Sequence, residues 1–167
     1  ILYYNRGEKN KAIEIIDRLI DAEPENINAY TQKGHMLNDI YAFKESIETM
    51  THLIEIDPIN HEAYVIRAQA YYELGFYDEV YRDCQTAIEF DRYDITAYSL
   101  MIKVLSESGE IGEAKKVLDL LKKEGAKGTE IMFLEAFIKE SLEEYDAAEE
   151  IYNKIIEIEE ARKSRFE

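Results

Sequence analysis

Side chains of similar size and polarity recur every 34 residues along this chain. One column of small or narrow residues comprises Ala12, Ser46, Val80, Ala114 and Ala148. The column three residues earlier is mostly large and apolar, and comprises Lys9, Phe43, Tyr77, Ile111 and Tyr145. The column seven residues later comprises Leu19, Leu53, Ala87, Leu121 and Ile155. Agreement across these columns, without a gap, predicts one small unit that repeats and buries its apolar side against its neighbours.

A second set of columns precedes each of these. Bulky residues align at Tyr30, Tyr64, Tyr98 and Met132, and small residues recur four places later at Gly34, Ala68 and Ala136, with Ile102 as the exception. The apolar residues of both sets follow helical spacing, so each unit is predicted to hold two amphipathic helices. We expect first helices at about 27–39, 61–73, 95–107 and 129–141, and second helices at about 8–22, 42–56, 76–90, 110–123 and 144–163.

Turn residues mark the same period. Glycine occupies one column at Gly7, Gly75 and Gly109, with Tyr41 and Glu143 as its exceptions. A glycine in that place is typical of a helix end with positive φ. Pro24 and Pro58 share another column, where each closes one helix and opens the next turn.

Spacing and column chemistry resemble the tetratricopeptide repeat, whose signature is W-x2-L-G-x2-Y, then A-x3-F, then P. Here the first part reads Tyr30-x2-Lys33-Gly34-x2-Leu37, and the second part is represented by Ala12-x3-Ile16 and Ala148-x3-Tyr152. The resemblance implies an all-α fold, a right-handed α-α superhelix (solenoid) of antiparallel helix hairpins with a 34-residue period. It covers the chain as a single array, residues 1–167: a partial repeat at 1–26, full repeats at 27–60, 61–94, 95–128 and 129–162, and a tail at 163–167.

Some positions depart from the family's pattern. Its leucine is replaced by Lys33, Arg67, Met101 and Glu135, and its closing proline by Arg92, Ala126 and Glu160. We therefore expect the segment 123–128 to be the place of altered packing or flexibility. The alternative family is the pentatricopeptide repeat, a similar hairpin with a 35-residue step and a basic RNA-binding face. The strict step of 34 and the net charge of −16 favour the tetratricopeptide repeat.

The charge narrows the classes of partner. The chain has 36 acidic and 20 basic side chains, spread without a charged tail. Such a surface repels phosphate backbones and anionic lipids, so we expect no nucleic-acid or membrane binding. The acidic excess is either a solvated outer face or an attraction for a basic partner. No signal peptide or apolar span is visible, and we expect a cytoplasmic location.

No catalytic motif is visible, and we expect neither an enzyme, nor a cofactor, nor a metal. His35, His52 and His61 lack metal-ligand spacing, and phosphate-binding glycine loops are missing. Cys84 falls in a core column, so an inert buried thiol is expected. Six tyrosines are assigned to core columns: Tyr30, Tyr64, Tyr71, Tyr77, Tyr98 and Tyr145.

The resemblance implies a partner site as well, because the first helices of tetratricopeptide arrays line a concave groove. The residues it places there are Asn28, Thr31, Gln32, His35, Asn38, Glu62, Val65, Ile66, Gln69, Tyr72, Leu100, Lys103, Phe133, Leu134 and Phe137. Beside them lie Glu73, Thr96, Ser99 and Glu140. Asn and Gln suit a peptide backbone, and the apolar residues at 133, 134 and 137 suit anchors of a bound segment. The alternative is that these three pack beneath another element.

The predicted function is a scaffold that binds a peptide or protein segment in this groove. Clamps for acidic C-termini use Lys and Asn on one first helix, Asn on the next, and Lys and Arg on the third. The matching places here hold Thr31 and His35, then Ile66, then Thr96 and Leu100, so a partner held by its carboxylate terminus is not expected. The alternative function is a structural or assembly spacer within a longer protein, or an array that pairs end to end with another copy. It rests on the expectation that Ile1–Arg6 is a truncated helix and that Ile151, Ile155 and Ile158 lack cover.

Overall fold

The computed structural model describes residues 8–164, and every helix that the repeat predicts there is present. The helices are α1 (Lys9–Ala22), α2 (Ile27–Asp39), α3 (Phe43–Ile56), α4 (His61–Glu73), α5 (Tyr77–Phe90), α6 (Ile95–Glu107), α7 (Ile111–Lys123), α8 (Thr129–Ser141) and α9 (Tyr145–Lys163). No predicted boundary is wrong by more than one residue. The predictions for Ile1–Arg6, for Gly7 and for the end of the 163–167 tail lie outside the described residues. The all-α repeat fold is therefore confirmed.

The helices fall into two compact units, which divide between Asp91 and Arg92. In unit 1, each of α1 to α4 packs on the helix that follows it, and α2 also packs on α4. In unit 2, each of α6 to α8 packs on the helix that follows it, and α6 also packs on α8. The first helices of successive repeats thus lie side by side within each unit. The division comes one repeat earlier than the segment 123–128, which lies inside unit 2.

One column of polar residues caps the first helices. Asn26, Asn60 and Asp94 each accept a hydrogen bond from the backbone N–H three residues later, at 2.9–3.0 Å. Their side chains satisfy amide groups that have no partner inside the helix. The fourth place is Gly128, which has a φ of 114° and no side chain to offer. Capping therefore follows the 34-residue period in three repeats of four.

The turn inside each hairpin keeps one backbone conformation whichever residue occupies it. φ is 77° at Gly75 and 80° at Gly109, and it is 65° at Tyr41 and 60° at Glu143. In each turn the next residue's N–H donates to a helix carbonyl five residues back, as from Ala42 to Leu37 at 2.9 Å. This is the Schellman arrangement. The glycine column is thus a column of positive φ, and its two exceptions carry the strain of a side chain in that region.

The small columns lie in the core, as predicted. Ala63, Ala68, Val80, Ala114 and Ala136 are all fully buried. The closest approach is at Gly34, where a Cβ would come within 2.6 Å of Met50 Cε. Two helices of one hairpin, α2 and α3, approach closely because this position has no side chain.

Two core assignments and one expected exposure were wrong. Tyr145 is 64% exposed and Leu19 is 40% exposed, although their columns are buried elsewhere. Ile155, expected to lack cover, is only 4% exposed. It belongs to the column of Leu53, Ala87 and Leu121, which packs inside each hairpin, and α9 packs on α8 in the same way.

Charged residues in the family's leucine column form ion pairs with neighbouring helices. Lys33 Nζ of α2 lies 2.6 Å from Asp17 Oδ1 of α1, and Glu135 of α8 pairs with Lys122 of α7. Arg67 of α4 binds Asp83 of α5 through two hydrogen bonds of 2.8 Å. Each departure from leucine to a charged residue is thus compensated by a charge on an adjacent helix.

Candidate functional site

In unit 1 the candidate face is formed by α2 and α4, and it is mostly polar. The exposed residues are Asn28, Gln32, His35 and Glu62, and the half-buried ones are Thr31, Asn38, Gln69 and Tyr72. His35 Nε2 lies 3.3 Å from Glu62 Oε1 and so joins the two helices at the surface. The Tyr72 ring stacks on Tyr77 with centroids 6.1 Å apart. This face presents amide, imidazole, carboxylate and aromatic surfaces.

Asn38 has a structural role within this face. Its Nδ2 donates to the backbone carbonyl of Ile66 at 3.0 Å, so it ties α2 to α4. Its buried Oδ1 has no hydrogen-bond partner among the residues that the structure describes. The sequence predicted that the Asn38 amide would bind the backbone of a partner, but its Nδ2 instead donates to the backbone of this chain.

Four of the predicted groove residues are buried in the structure. Val65 is 6% exposed, Ile66 is 0%, and Leu100 and Leu134 are each 6%. They have almost no surface to offer a partner, because they pack in the core beside the small columns. A glutamate at any of them would break the core, so such a variant reports on folding and not on binding. The remaining predicted groove residues are at least partly exposed, and their binding of a partner stays a prediction.

In unit 2 the candidate face lies along α8. Phe133 is 50% exposed, Phe137 is half-buried, and Glu130 and Glu140 carry their carboxylates at the surface. The spacing 130, 133, 137 and 140 places these four residues on one side of the helix. We call them the α8 stripe. Lys103, on the neighbouring α6, is half-buried.

Tyr152 of α9 supports the α8 stripe. Its ring packs on Phe133 with centroids 5.9 Å apart, and its hydroxyl donates to Glu140 Oε2 at 3.2 Å. Burial raises the pKa of the Tyr152 phenol, and the charge and hydrogen bond of Glu140 raise it further. The phenol therefore stays protonated and keeps donating to Glu140. Sequence reasoning missed Tyr152, although its place in a second-helix column was visible.

Groups that would indicate catalysis or metal binding are scattered. Within residues 8–164 no cluster of His, Cys, Asp and Glu has the arrangement of a metal site. His52 lies 3.3 Å from Glu55 on the same helix, and His61 lies 4.0 Å from Asp91. Cys84 is buried, as predicted. Across the same residues, none of the helices has the length and apolar character for a membrane crossing.

Comparison with protein families finds two repeats. The model described as "Tetratricopeptide repeat" matches residues 129–162, the predicted last full repeat. The model described as "PPR repeat" matches residues 96–125, so the alternative family's pattern is present in one hairpin. Comparison with curated proteins gives no match.

Solved structures with similar folds cover nearly the whole chain. The crystal structure of MamA is 21% identical, with a TM-score of 0.75 over 95% of this chain and 93% of that one. TTC0263, a thermophilic TPR protein of Thermus thermophilus, is 17% identical, with a TM-score of 0.76 over 90% of this chain and 83% of that one. A tetratricopeptide repeat protein of Parabacteroides merdae is 19% identical, with a TM-score of 0.74 over 91% of this chain and 60% of that one. Residues 129–162 thus match a tetratricopeptide repeat, and the shared folds show that the helix pairs of the chain have the architecture of tetratricopeptide repeat proteins.

Proposed function

We propose that this chain binds a polypeptide segment on the exposed faces of its first helices. Tetratricopeptide repeats are scaffolds for protein interaction, and the chain has their architecture. The observation that carries the proposal is Phe133, which is 50% exposed in the middle of the α8 stripe. An aromatic side chain held by a neighbouring ring, with polar groups around it, is the usual composition of an interface anchor.

Each unit taken by itself offers its own chemistry to a bound segment. The face on α2 and α4 presents amide groups at Asn28, Gln32 and Gln69, which can donate to and accept from a peptide backbone. The α8 stripe presents apolar surface at Phe133 and Phe137. Anchoring on the stripe supplies affinity, and hydrogen bonding by amides tolerates varied sequence.

The test uses peptides selected for binding to the chain from a random displayed library. Phe133→Ala should weaken their binding about fivefold or more, since truncating an interface anchor costs more than about 1 kcal/mol. Ile156→Ala is the matched control, because Ile156 is a similarly exposed apolar residue, at 54%, on α9. Equal affinities for wild type and the folded Phe133→Ala variant would remove the α8 stripe from the account.

A second candidate is self-association of the array or a spacer role within a longer protein. Apolar surface on α9 favours it, since Ile156 is 54% exposed and Ile158 is 37% exposed. Sedimentation velocity of wild type and of an Ile156→Glu variant distinguishes self-association through α9 from a spacer role without self-association. A monomer at all concentrations would exclude pairing through α9. The absence of catalysis and the cytoplasmic location stay predictions.

A further inference from the structure

The α8 stripe has an apolar centre and an acid at each end. Phe133 and Phe137 lie between Glu130 and Glu140, and both carboxylates reach the surface. The Cα atoms of the two acids are about 15 Å apart along the helix axis, from ten residues at about 1.5 Å each. The two carboxylates are thus attached to the helix a fixed distance apart, on either side of the apolar centre.

The surroundings of the stripe are acidic. The first helices of unit 2 carry four acids, Glu107, Glu130, Glu135 and Glu140, and two cations, Lys103 and Lys139. Lys139 is bound to Glu144 and Glu135 is bound to Lys122, so one cation and one acid of this set are balanced by partners outside it, and three acids and one cation remain. The whole chain has a net charge of −16. A partner that approaches this face therefore meets a negative potential.

From the α8 stripe we infer the chemistry of the partner: a basic polypeptide segment that carries an apolar side chain between two Lys or Arg residues. The inference rests on the proposed function and names the occupant of the same face. Charge complementarity favours it, because each carboxylate of the stripe would meet a cation while the apolar side chain covers Phe133 and Phe137. A helical segment places its two cations about ten residues apart, and an extended one about five.

Tyr152 prepares one end of the stripe for this role. Its hydroxyl donates to Glu140 Oε2 at 3.2 Å and so restricts the orientation of the carboxylate. The carboxylate has further lone pairs for a cation. A held carboxylate loses less side-chain entropy on binding than a free one, which favours affinity.

The test selects binders from a library of random peptides about 15 residues long, which span the stripe as a helix or as an extended chain. Three targets are compared: wild type, Glu130→Gln/Glu140→Gln and Glu149→Gln/Glu150→Gln. The last is the matched control, since it removes two exposed acids from α9 and changes the net charge equally. Binders are sorted by whether Phe133→Ala weakens them, which selects those that occupy the stripe.

Stripe binders should be enriched in Lys and Arg on both sides of an apolar residue. Their dissociation constants should rise about three- to tenfold with Glu130→Gln/Glu140→Gln, and much less with the control pair. Two results would overturn this inference and leave the proposed function standing. The first is that Phe133-dependent binders are not enriched in Lys and Arg, and the second is that their dissociation constants are unchanged by Glu130→Gln/Glu140→Gln. Failure to obtain any Phe133-dependent binder would overturn this inference and remove the α8 stripe from the proposed function, and failure to obtain any binder at all would overturn the proposed function.

Discussion

Arg67 occupies a position where the tetratricopeptide motif has leucine, and it forms an ion pair with Asp83. Breaking this ion pair tests whether it stabilises unit 1. Arg67 donates from Nε and Nη2 to the two Asp83 oxygens at 2.8 Å, and from Nη1 to Thr51 Oγ1 at 3.0 Å. The two side chains are only 15% and 9% exposed. The rings of Tyr64 and Tyr71 lie 5.6 and 6.0 Å from the guanidinium carbon. One side chain of α4 thus binds both α3 and α5.

Asp83→Ala removes the carboxylate and leaves the guanidinium charge largely closed to water. Burial acts to lower the pKa of Arg67, but the hydrogen bond and the charge of Asp83 outweigh it and raise that pKa. Arginine stays protonated even without its partner. An unpaired buried charge costs about 3–5 kcal/mol, and the remaining exposure places our expectation near the lower end, about 3 kcal/mol.

Replacing both members should remove most of this cost. In the Arg67→Leu/Asp83→Leu variant no charge is left without a partner, and apolar replacement of a buried pair is often neutral. We expect its free energy of unfolding to lie within about 1 kcal/mol of wild type. The difference between single and double variants then measures the penalty of the unpaired charge.

Urea unfolding followed by far-UV circular dichroism measures these free energies. The surface pair of Lys116 and Glu113 is the control, since its atoms lie 2.6 Å apart but the side chains are 73% and 53% exposed. Glu113→Ala should cost less than about 0.5 kcal/mol. An Asp83→Ala cost no larger than this would refute the reasoning. A double variant as unstable as Asp83→Ala would show that lost packing, and not an unpaired charge, is responsible.

Four further substitutions test the turns, one surface ion pair and the packing. Glu143→Gly should raise the free energy of unfolding by about 0.5–1 kcal/mol, because Glu143 has a φ of 60°. Gly75→Ala should lower the free energy of unfolding, because Gly75 has a φ of 77°. A lower urea midpoint for Glu143→Gly would show that the Glu143 backbone is not strained. Lys139→Ala should raise the pKa of Glu144, which the hydrogen bond from Lys139 holds below its usual value. Because the pKa of Glu144 is lowered in the fold, the pair stabilises the fold above the ordinary pKa range of Glu, and this stabilisation is lost as the pH falls through the folded pKa. An NMR titration that finds the same Glu144 pKa in wild type and in Lys139→Ala would exclude the pair of Lys139 and Glu144. Gly34→Val should lower the free energy of unfolding by about 1–3 kcal/mol, because its Cβ would meet Met50 Cε at 2.6 Å and Ile66 Cγ2 at 3.0 Å; an unchanged thermal midpoint would show that Met50 can move aside.

Helix positions could be predicted from the sequence because several columns constrain each boundary at once. The apolar spacing places α4 and the proline and glycine columns bound it, so an error in one column is corrected by another. Tyr41 and Glu143 show the strength of this constraint. Their residue types oppose a positive φ, yet the hydrogen bonds of the turn impose it. Repeat context overrides local preference there.

The candidate site was less predictable, because a family register assigns a face but not the exposure of each side chain on it. Ile66 and Leu134 occupy groove positions in the register and are buried, while Phe133, one residue from Leu134, is half exposed. Exposure depends on the neighbouring helix, whose side chains lie a full repeat away in sequence. The spacing within one helix does not contain that information. Asn38 is a similar case, since its partner is a backbone carbonyl 28 residues later.

The leucine column shows how a departure from the motif can be interpreted physically. Lys33 pairs with a residue 16 positions earlier, Arg67 with one 16 positions later, and Glu135 with one 13 positions earlier. Because the offset changes in size and direction, no fixed spacing in the sequence predicts the partner. A charge in this half-buried column nevertheless needs an opposite charge on an adjacent helix, since it would otherwise destabilise the hairpin. Met101, the apolar member of the column, is 5% exposed and needs none. A charged residue here therefore leaves the repeat intact and requires a second substitution nearby, and both must be exchanged together when hairpins are recombined.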